Sequence, residues 1–235
     1  MKNIVVTGAS KGIGKSIAGK FAAGGWNVAI CARTTETLLR TKSELQEINP
    51  SGRILAESVD MSRSEEVKRF AGILKKDFGI ADVLVNNAGV FFPGTIHEEM
   101  EGVLEDMMAV NLYSAYYLSR ALLPEMKEKR SGHIVNICST ASLKAYSNGG
   151  SYSISKFALL GFSKNLREEL KPFNIKVTAV CPGPTLTDSW TGFEGPADRM
   201  MPPADVAELI WTICNLAPQT VTEDIIMRPM QGDIS

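Results

Sequence analysis

Apolar residues along this chain fall into short continuous runs, separated by longer stretches in which they recur every three to four positions. Runs of this kind read as strands buried on both faces, at 4–7, 28–31, 54–59, 83–85, 134–137, 177–180 and 225–227. Helical periodicity fills the intervals at 13–23, 36–48, 64–77, 100–129, 152–170 and 204–216, with room for a break before Asn111, which interrupts an apolar run. The unbroken alternation predicts βαβ units in an α/β fold: a doubly wound, mostly parallel seven-stranded sheet with helices on both faces. No repeat, low-complexity tract or Pro/Ser-rich linker divides the chain, so residues 1–235 are expected to form a single domain.

Two connections are longer than such folds need. One follows the fifth strand, from Ser139 to Ser151, and the other follows the sixth, through Trp190, Phe193, Met200 and Met201, with a substrate lid expected at about 184–203. Both leave carboxyl ends of strands, the side on which open α/β sheets bind ligands.

Between the first strand and the first helix lies Thr7-Gly-Ala-Ser-Lys-Gly-Ile-Gly14. Glycine there permits positive φ and lets backbone approach a pyrophosphate at a helix N-terminus, so Gly8, Ser10, Lys11, Gly12, Ile13 and Gly14, at G-x-x-x-G-x-G spacing, are candidate cofactor contacts; the alternative is a plain turn, against which its place between strand and helix counts. The second strand ends Cys31-Ala-Arg-Thr34, with no acid between Asn27 and Thr35 to hold a ribose 2′-hydroxyl. Arg33 and Lys11 could instead meet a 2′-phosphate, which favours NADP(H) over NAD(H); the alternative is that both are solvated at a loop rim. Asp60 and Met61 could offer an acceptor and a flat apolar contact to adenine, or Asp60 could cap a helix. In Asn86-Asn-Ala-Gly89 the small pair Ala88 and Gly89 leaves room for a ribose, while Asn87 and its neighbour either touch ligand or tie strands together.

Tyr152 and Lys156 lie four apart, one helical turn, which sets an ammonium near a phenol and is expected to lower the phenol from its usual pKa of about 10 toward neutrality. Ser139, thirteen residues upstream of Tyr152, could orient a substrate oxygen.

Composition narrows the partners. A formal net charge of −1 gives no footprint for nucleic acid, and no apolar run reaches the length of a membrane span. Met1-Lys-Asn is followed by only three apolar residues before Gly8, too few for a signal peptide, so the protein is expected in the cytoplasm. The cysteines Cys31, Cys138, Cys181 and Cys214 lack metal or disulfide spacing and read as interior thiols, and His97 and His133 are too isolated for a metal site. Phe91, Phe92, Leu143 and Tyr146 either line a substrate pocket or pack loops, and Tyr113, Tyr116, Tyr117 and Leu118 belong to an interface or the core.

Taken in order and at these separations, Thr7-Gly-Ala-Ser-Lys-Gly-Ile-Gly14, Asp60, Asn86-Asn-Ala-Gly89, Asn111, Ser139, Tyr152-Ser-Ile-Ser-Lys156 and Pro182-Gly183 resemble the compact short-chain dehydrogenases/reductases over nearly the whole chain. The resemblance implies an NADP-dependent oxidoreductase acting on CH–OH groups, with Tyr152 as general acid/base. Ser139 would hold the reacting oxygen, Lys156 would hold the nicotinamide ribose, and Asn111 would anchor a water that relays protons to Lys156. Pro182, Gly183, Thr185 and Thr187 would cover the nicotinamide. The family pairs the long central helix and the Tyr152 helix with their copies, so a homodimer or homotetramer is expected. The chain end, Ile225-Ile-Met-Arg-Pro229, resembles NADP-dependent 3-hydroxy acid and serine dehydrogenases, which suggests a small 3-hydroxy acid or ketone; 3-oxoacyl-carrier-protein reductases are the alternative. A catalytically silent NADPH sensor is a reading of another class, against which Ser139, Tyr152 and Lys156 all stand.

Overall fold

The structure is a computed structural model and describes residues 1–187 and 199–233. Its strands are β1 (Asn3–Thr7), β2 (Asn27–Ala32), β3 (Ile54–Ser58), β4 (Val83–Asn86), β5 (Gly132–Ile137), β6 (Ile175–Pro182) and β7 (Asp224–Met227). Its helices are α1 (Gly12–Ala23), α2 (Thr35–Ile48), α3 (Ser64–Ile73), α4 (Val103–Met108), α5 (Ser114–Lys129), α6 (Gly150–Leu170) and α7 (Pro203–Cys214). Each predicted strand is present, with ends displaced by no more than two residues.

All seven strands join one sheet in the order β3-β2-β1-β4-β5-β6-β7, and every pairing is parallel. The strands are apolar throughout because both faces are covered. Within β1, Ile4 and Val6 join the core beneath α1, α2 and α7, while Val5 joins the core beneath α3, α5 and α6. Fully buried Phe21 meets Trp26 and Trp211 edge-on at 5.0 and 5.1 Å, which locks α1 to α7. The chain winds outward from β1 to β3 and then returns to start the other half at β4. The carboxyl ends of β1 and β4 therefore adjoin, and a crevice opens where the winding reverses.

Three sequence expectations change. The helix predicted over 100–129 starts at Val103, and its expected break is a π turn, Ala109–Tyr113, that carries Asn111 without interrupting the helix. The helix over 64–77 ends likewise in a π turn, Leu74–Phe78. The helix predicted from Tyr152 begins two residues earlier, at Gly150, which moves Tyr152 from the helix edge into its first turn. The middle of the predicted lid, with Trp190 and Phe193, lies outside the described residues. Its ends are joined, since Leu186 N donates to Met201 O (2.9 Å) and Met201 N to Pro184 O (3.0 Å).

Candidate active site

One cleft of ≈ 1080 Å³ runs along the carboxyl edge of the sheet and gathers nearly every residue singled out above. Gly8, Ser10, Lys11, Gly12, Ile13, Arg33, Asp60, Met61, Asn87, Ala88 and Gly89 line it, together with Ser139, Tyr152, Lys156, Pro182, Gly183, Thr185 and Thr187. Gly14 and Asn111 do not; they lie behind its wall.

The glycine turn is shaped by contact. Gly8 has φ +63°, and a Cβ there would stand 2.9 Å from Ala88 Cα; one on Gly14 would stand 2.5 Å from both Asn87 Nδ2 and Gly8 O. Asn87 ties the turn to β4, since its Nδ2 donates to Thr7 O (2.9 Å) and Gly8 O (3.0 Å), while Thr7 Oγ1 accepts from Asn87 N and Ala88 N. The two readings of the asparagines thus separate. Asn86 is structural, its Nδ2 donating to Ser119 Oγ and Asn136 Oδ1, and Asn87 builds the cleft wall. Beyond the turn, α1 opens toward the cleft with no side-chain cap and no acid in its first turn.

Asp60 does not cap α3, whose N-cap is Arg63. Its Oδ1 accepts from Ser62 N (3.0 Å) and Ser62 Oγ (2.7 Å). Burial alone would raise this carboxyl, but the Ser62 hydrogen bonds, with Arg33 and Arg63 nearby, hold it below the usual carboxylate range. Met61 is 5% exposed and sits with its sulfur 3.7 Å from Cys31 Sγ, so it presents a flat apolar floor. All four cysteines are free thiols.

At the other end of the cleft, β5 stops at Ile137, and Ser139 follows in extended conformation as the cap of a short 3-10 turn, Thr140–Ser142. Ser139 Oγ accepts from Ala141 N (3.1 Å), and Ser142 Oγ accepts from Ser139 N (3.1 Å). The hydroxyl proton of Ser139 is left to donate, and the Tyr152 phenol lies in hydrogen-bonding reach of this hydroxyl. Lys156, 5% exposed, donates to Ile137 O at 2.9 Å, with its Nζ 5.7 Å from the centre of the Tyr152 ring. Asn111 sits behind this pair. Its Oδ1 accepts from Val90 N (2.8 Å), and its Nδ2 donates to Val90 O (3.0 Å) and Ser155 Oγ (2.9 Å); Ser155 Oγ in turn donates to Tyr152 O (2.7 Å).

The electrostatics correct one sequence expectation. Burial is the largest influence on Tyr152 and pushes its phenol up; the Ser139 hydrogen bond pulls it down without prevailing. Lys156 is itself lowered, first by burial, and its amine is turned to the Ile137 carbonyl. In this arrangement the phenol holds its proton.

Other residues of the cleft went unnoticed in the sequence. Arg228 and Asp233, beyond β7, form an ion pair on its wall, and Lys144 and Ala145 join from the loop after β5. The signal was available, because residues after the last parallel strand must emerge at the same carboxyl edge. Phe91 and Tyr146 line the cleft; Phe92 and Leu143 are exposed outside it.

The sequence profile of the short chain dehydrogenase family matches residues 2–195. The chain belongs to the short-chain dehydrogenase family. It is 33% identical over 241 residues to a sepiapterin reductase from Chlorobaculum tepidum, covering 100% of this chain and 99% of that relative. Among solved structures, an alcohol dehydrogenase from Thermococcus sibiricus complexed with 5-hydroxy-NADP is similar at TM-score 0.91 and 26% identity, covering 100% of this chain and 99% of that one. L-Sorbose reductase from Gluconobacter frateurii, complexed with NADPH and L-sorbose, is similar at TM-score 0.90 and 29% identity, covering 97% and 95%. This short-chain dehydrogenase is therefore an oxidoreductase. Among its described residues no helix is long and apolar enough to cross a membrane.

Proposed function

We propose that the chain interconverts a carbonyl compound and its secondary alcohol with NADP(H), Tyr152 serving as general acid/base. The observation that carries this reading is that Ser139, Tyr152 and Lys156 line one cleft with the glycine turn, the Ser139 and Tyr152 hydroxyls within hydrogen-bonding reach of each other, so that a single substrate oxygen could accept from both. The cleft suits the cofactor, because side chains on Gly8 and Gly14 would fill its bend and α1 presents uncapped backbone N–H groups there. When bound, the nicotinamide supplies or takes up hydride. Gly8 to Gly14 would hold the pyrophosphate, Asp60, Met61, Asn87, Ala88 and Gly89 the adenosine half, and Lys156, Pro182, Gly183, Thr185 and Thr187 the nicotinamide half.

Arg33 and Lys11 line the end of the cleft beside β2, a strand followed directly by Arg33 with no acid between Asn27 and Thr35, and Arg33 is exposed. A guanidinium there suits a 2′-phosphate. The solved relatives complexed with NADP or NADPH support the same preference.

In reduction, Ser139 orients the carbonyl oxygen and Tyr152 gives it a proton. The proton-retaining phenol favours this direction, and alcohol oxidation, which draws on the phenolate, gains as pH rises. Asn111 holds the Val90 backbone and the Tyr152 turn in register through Ser155. The chain is expected to act as a homodimer or homotetramer built on α5 and α6.

The test is a panel of ketones, hydroxy acids, quinones and acyl thioesters run with NADPH and with NADH. Tyr152→Phe is expected to lose about 10²–10⁴-fold in kcat while still binding NADPH. Arg33→Ala is expected to weaken NADPH by about tenfold or more and to leave NADH nearly unchanged. Undiminished turnover in Tyr152→Phe overturns the assignment. Tight NADPH binding by the natural chain without turnover of any compound points instead to a sensor.

A further inference from the structure

The end of the cleft beyond the glycine turn gathers apolar side chains, with the polar Thr140, Ser147 and Asn148 of the loop after β5 beside them. Val90 and Phe91 enter from the loop after β4, Val110 from the π turn, Ala145 and Tyr146 from the loop after β5, and Pro184 from the loop after β6. Two of these are aromatic rings beside the phenol. Phe91 stands edge-on to Tyr152, 4.9 Å between ring centres at 72°. Tyr146 lies close enough for Tyr152 to influence its ionisation. Both rings keep open surface, 37% for Phe91 and 47% for Tyr146, although both line the cleft.

The cations at this end are largely engaged. The Lys156 amine donates to a backbone carbonyl, and Arg228 is paired with Asp233. Among the described residues lining this end, Lys144 is the other cationic side chain, and it sits on an exposed loop. A compact keto acid bound at Ser139 and Tyr152 with its carboxylate turned toward Val90, Phe91 and Val110 would lose hydration against those three side chains without gaining a partner from them. A flat apolar ring in the same place would cover exposed aromatic surface and gain edge or offset stacking.

The geometry points to a carbonyl substrate that bears an aromatic or similarly flat apolar ring, its oxygen held by Ser139 and Tyr152 and its ring lodged between Phe91 and Tyr146. This rests on the carbonyl-reductase reading above and narrows it, taking the ketone side of the sequence expectation over the small 3-hydroxy acid. The substituent beside the carbonyl, and not the carbonyl itself, then sets specificity.

The experiment compares 4-phenyl-2-butanone, 2-butanone and acetoacetate with NADPH. The phenyl compound is expected to exceed 2-butanone in kcat/KM by about tenfold or more, the increment of one buried ring. Phe91→Leu and Tyr146→Leu should each compress that ratio severalfold. The ratio is the readout, because a general disturbance of Tyr152 would lower both values together.

In parallel, the two ketones are titrated calorimetrically into Tyr152→Phe saturated with NADPH, which reads the ring site without turnover. Tighter binding of the phenyl ketone there supports the ring site even if the natural enzyme turns over no compound of the wider panel, a result that would sink the carbonyl-reductase reading alone. Equal kcat/KM for the two ketones, acetoacetate as the best of the three, or a ratio unmoved by both leucine variants overturns the ring site and leaves the reductase reading standing.

Discussion

Ser139 and Tyr152 face each other because two backbones are pinned. The 3-10 turn after β5 fixes the serine through Ala141 N and Ser142 Oγ, and the Asn111–Ser155 bridge fixes the turn that carries the tyrosine. The spacing of Tyr152 and Lys156 revealed the pair but not its electrostatics. One helical turn brings the amine near the ring, yet the Ile137 carbonyl takes its hydrogen bond and burial raises the phenol. His133, which looked ordinary in the sequence, has a different consequence. It is 5% exposed, with Nε2 2.8 Å from Thr178 Oγ1. Since Thr178 gives its own proton to Thr222 O, the network assigns the imidazole proton to Nε2 and leaves Nδ1 bare in the interior. Burial, with Lys176 adding to it, lowers the imidazole from 6.5 to about 3. The unfolded chain takes up a proton near pH 6.5 while the folded one refuses it down to about 3, so this residue makes stability fall as pH drops across that window. His133→Gln is expected to flatten the curve of unfolding free energy against pH by about 1.4 kcal/mol per pH unit between roughly pH 4 and 6. Denaturant titrations at several pH values measure this, and parallel curves for the two proteins would refute it.

The first turn of α6 carries Tyr152 but has no cap of its own, since Gly149 lacks a side chain to offer. Glu99 supplies the cap from the loop after β4: Oε1 accepts from Ser151 N at 3.0 Å and Oε2 from Ser151 Oγ. The same loop carries Phe91, which rests on the Tyr152 ring. Gly150 makes the approach feasible, because a Cβ there would stand 2.1 Å from Glu99 Oε1. A cap of this kind contributes about 1 kcal/mol, enough for its loss to fray one turn. Glu99→Ala is expected to lower kcat by about tenfold and to speed amide hydrogen exchange at residues 151–153, and Glu99→Gln, which keeps an acceptor, should restore most of both. If the alanine variant alters neither rate nor exchange, α6 does not depend on this cap. None of this was legible in the sequence, where Glu99 is one acid in a charged stretch and its partner lies 52 positions away. The π turn at Asn111 was half legible: a polar residue in an apolar run announced something, but only the Val90 backbone explains why the helix widens to hold its amide.

The crevice between β1 and β4 exists because the winding reverses there, and both halves deliver their carboxyl ends to one edge. α5 and α6 leave an apolar surface on the flank: Tyr113 in the π turn before α5, Tyr116 on α5, and Ile154 and Phe157 on α6 remain 38–46% exposed. The proposed subunit interface would cover these side chains. Sedimentation equilibrium is expected to find a dimer or tetramer and Phe157→Asp to shift it toward monomer; a monomer across micromolar concentrations would refute the interface. The sheet and the ligand-binding edge were determined by the sequence alone, because buried parallel strands must be apolar runs and a phosphate-binding turn must be glycine. Those are local demands, met by residues next to one another. Tertiary structure alone decided the protonated state of Tyr152, the bare nitrogen of His133 and the borrowed cap of α6. Each depends on partners remote in the chain, and the free energy of a buried polar group is set by what finally surrounds it.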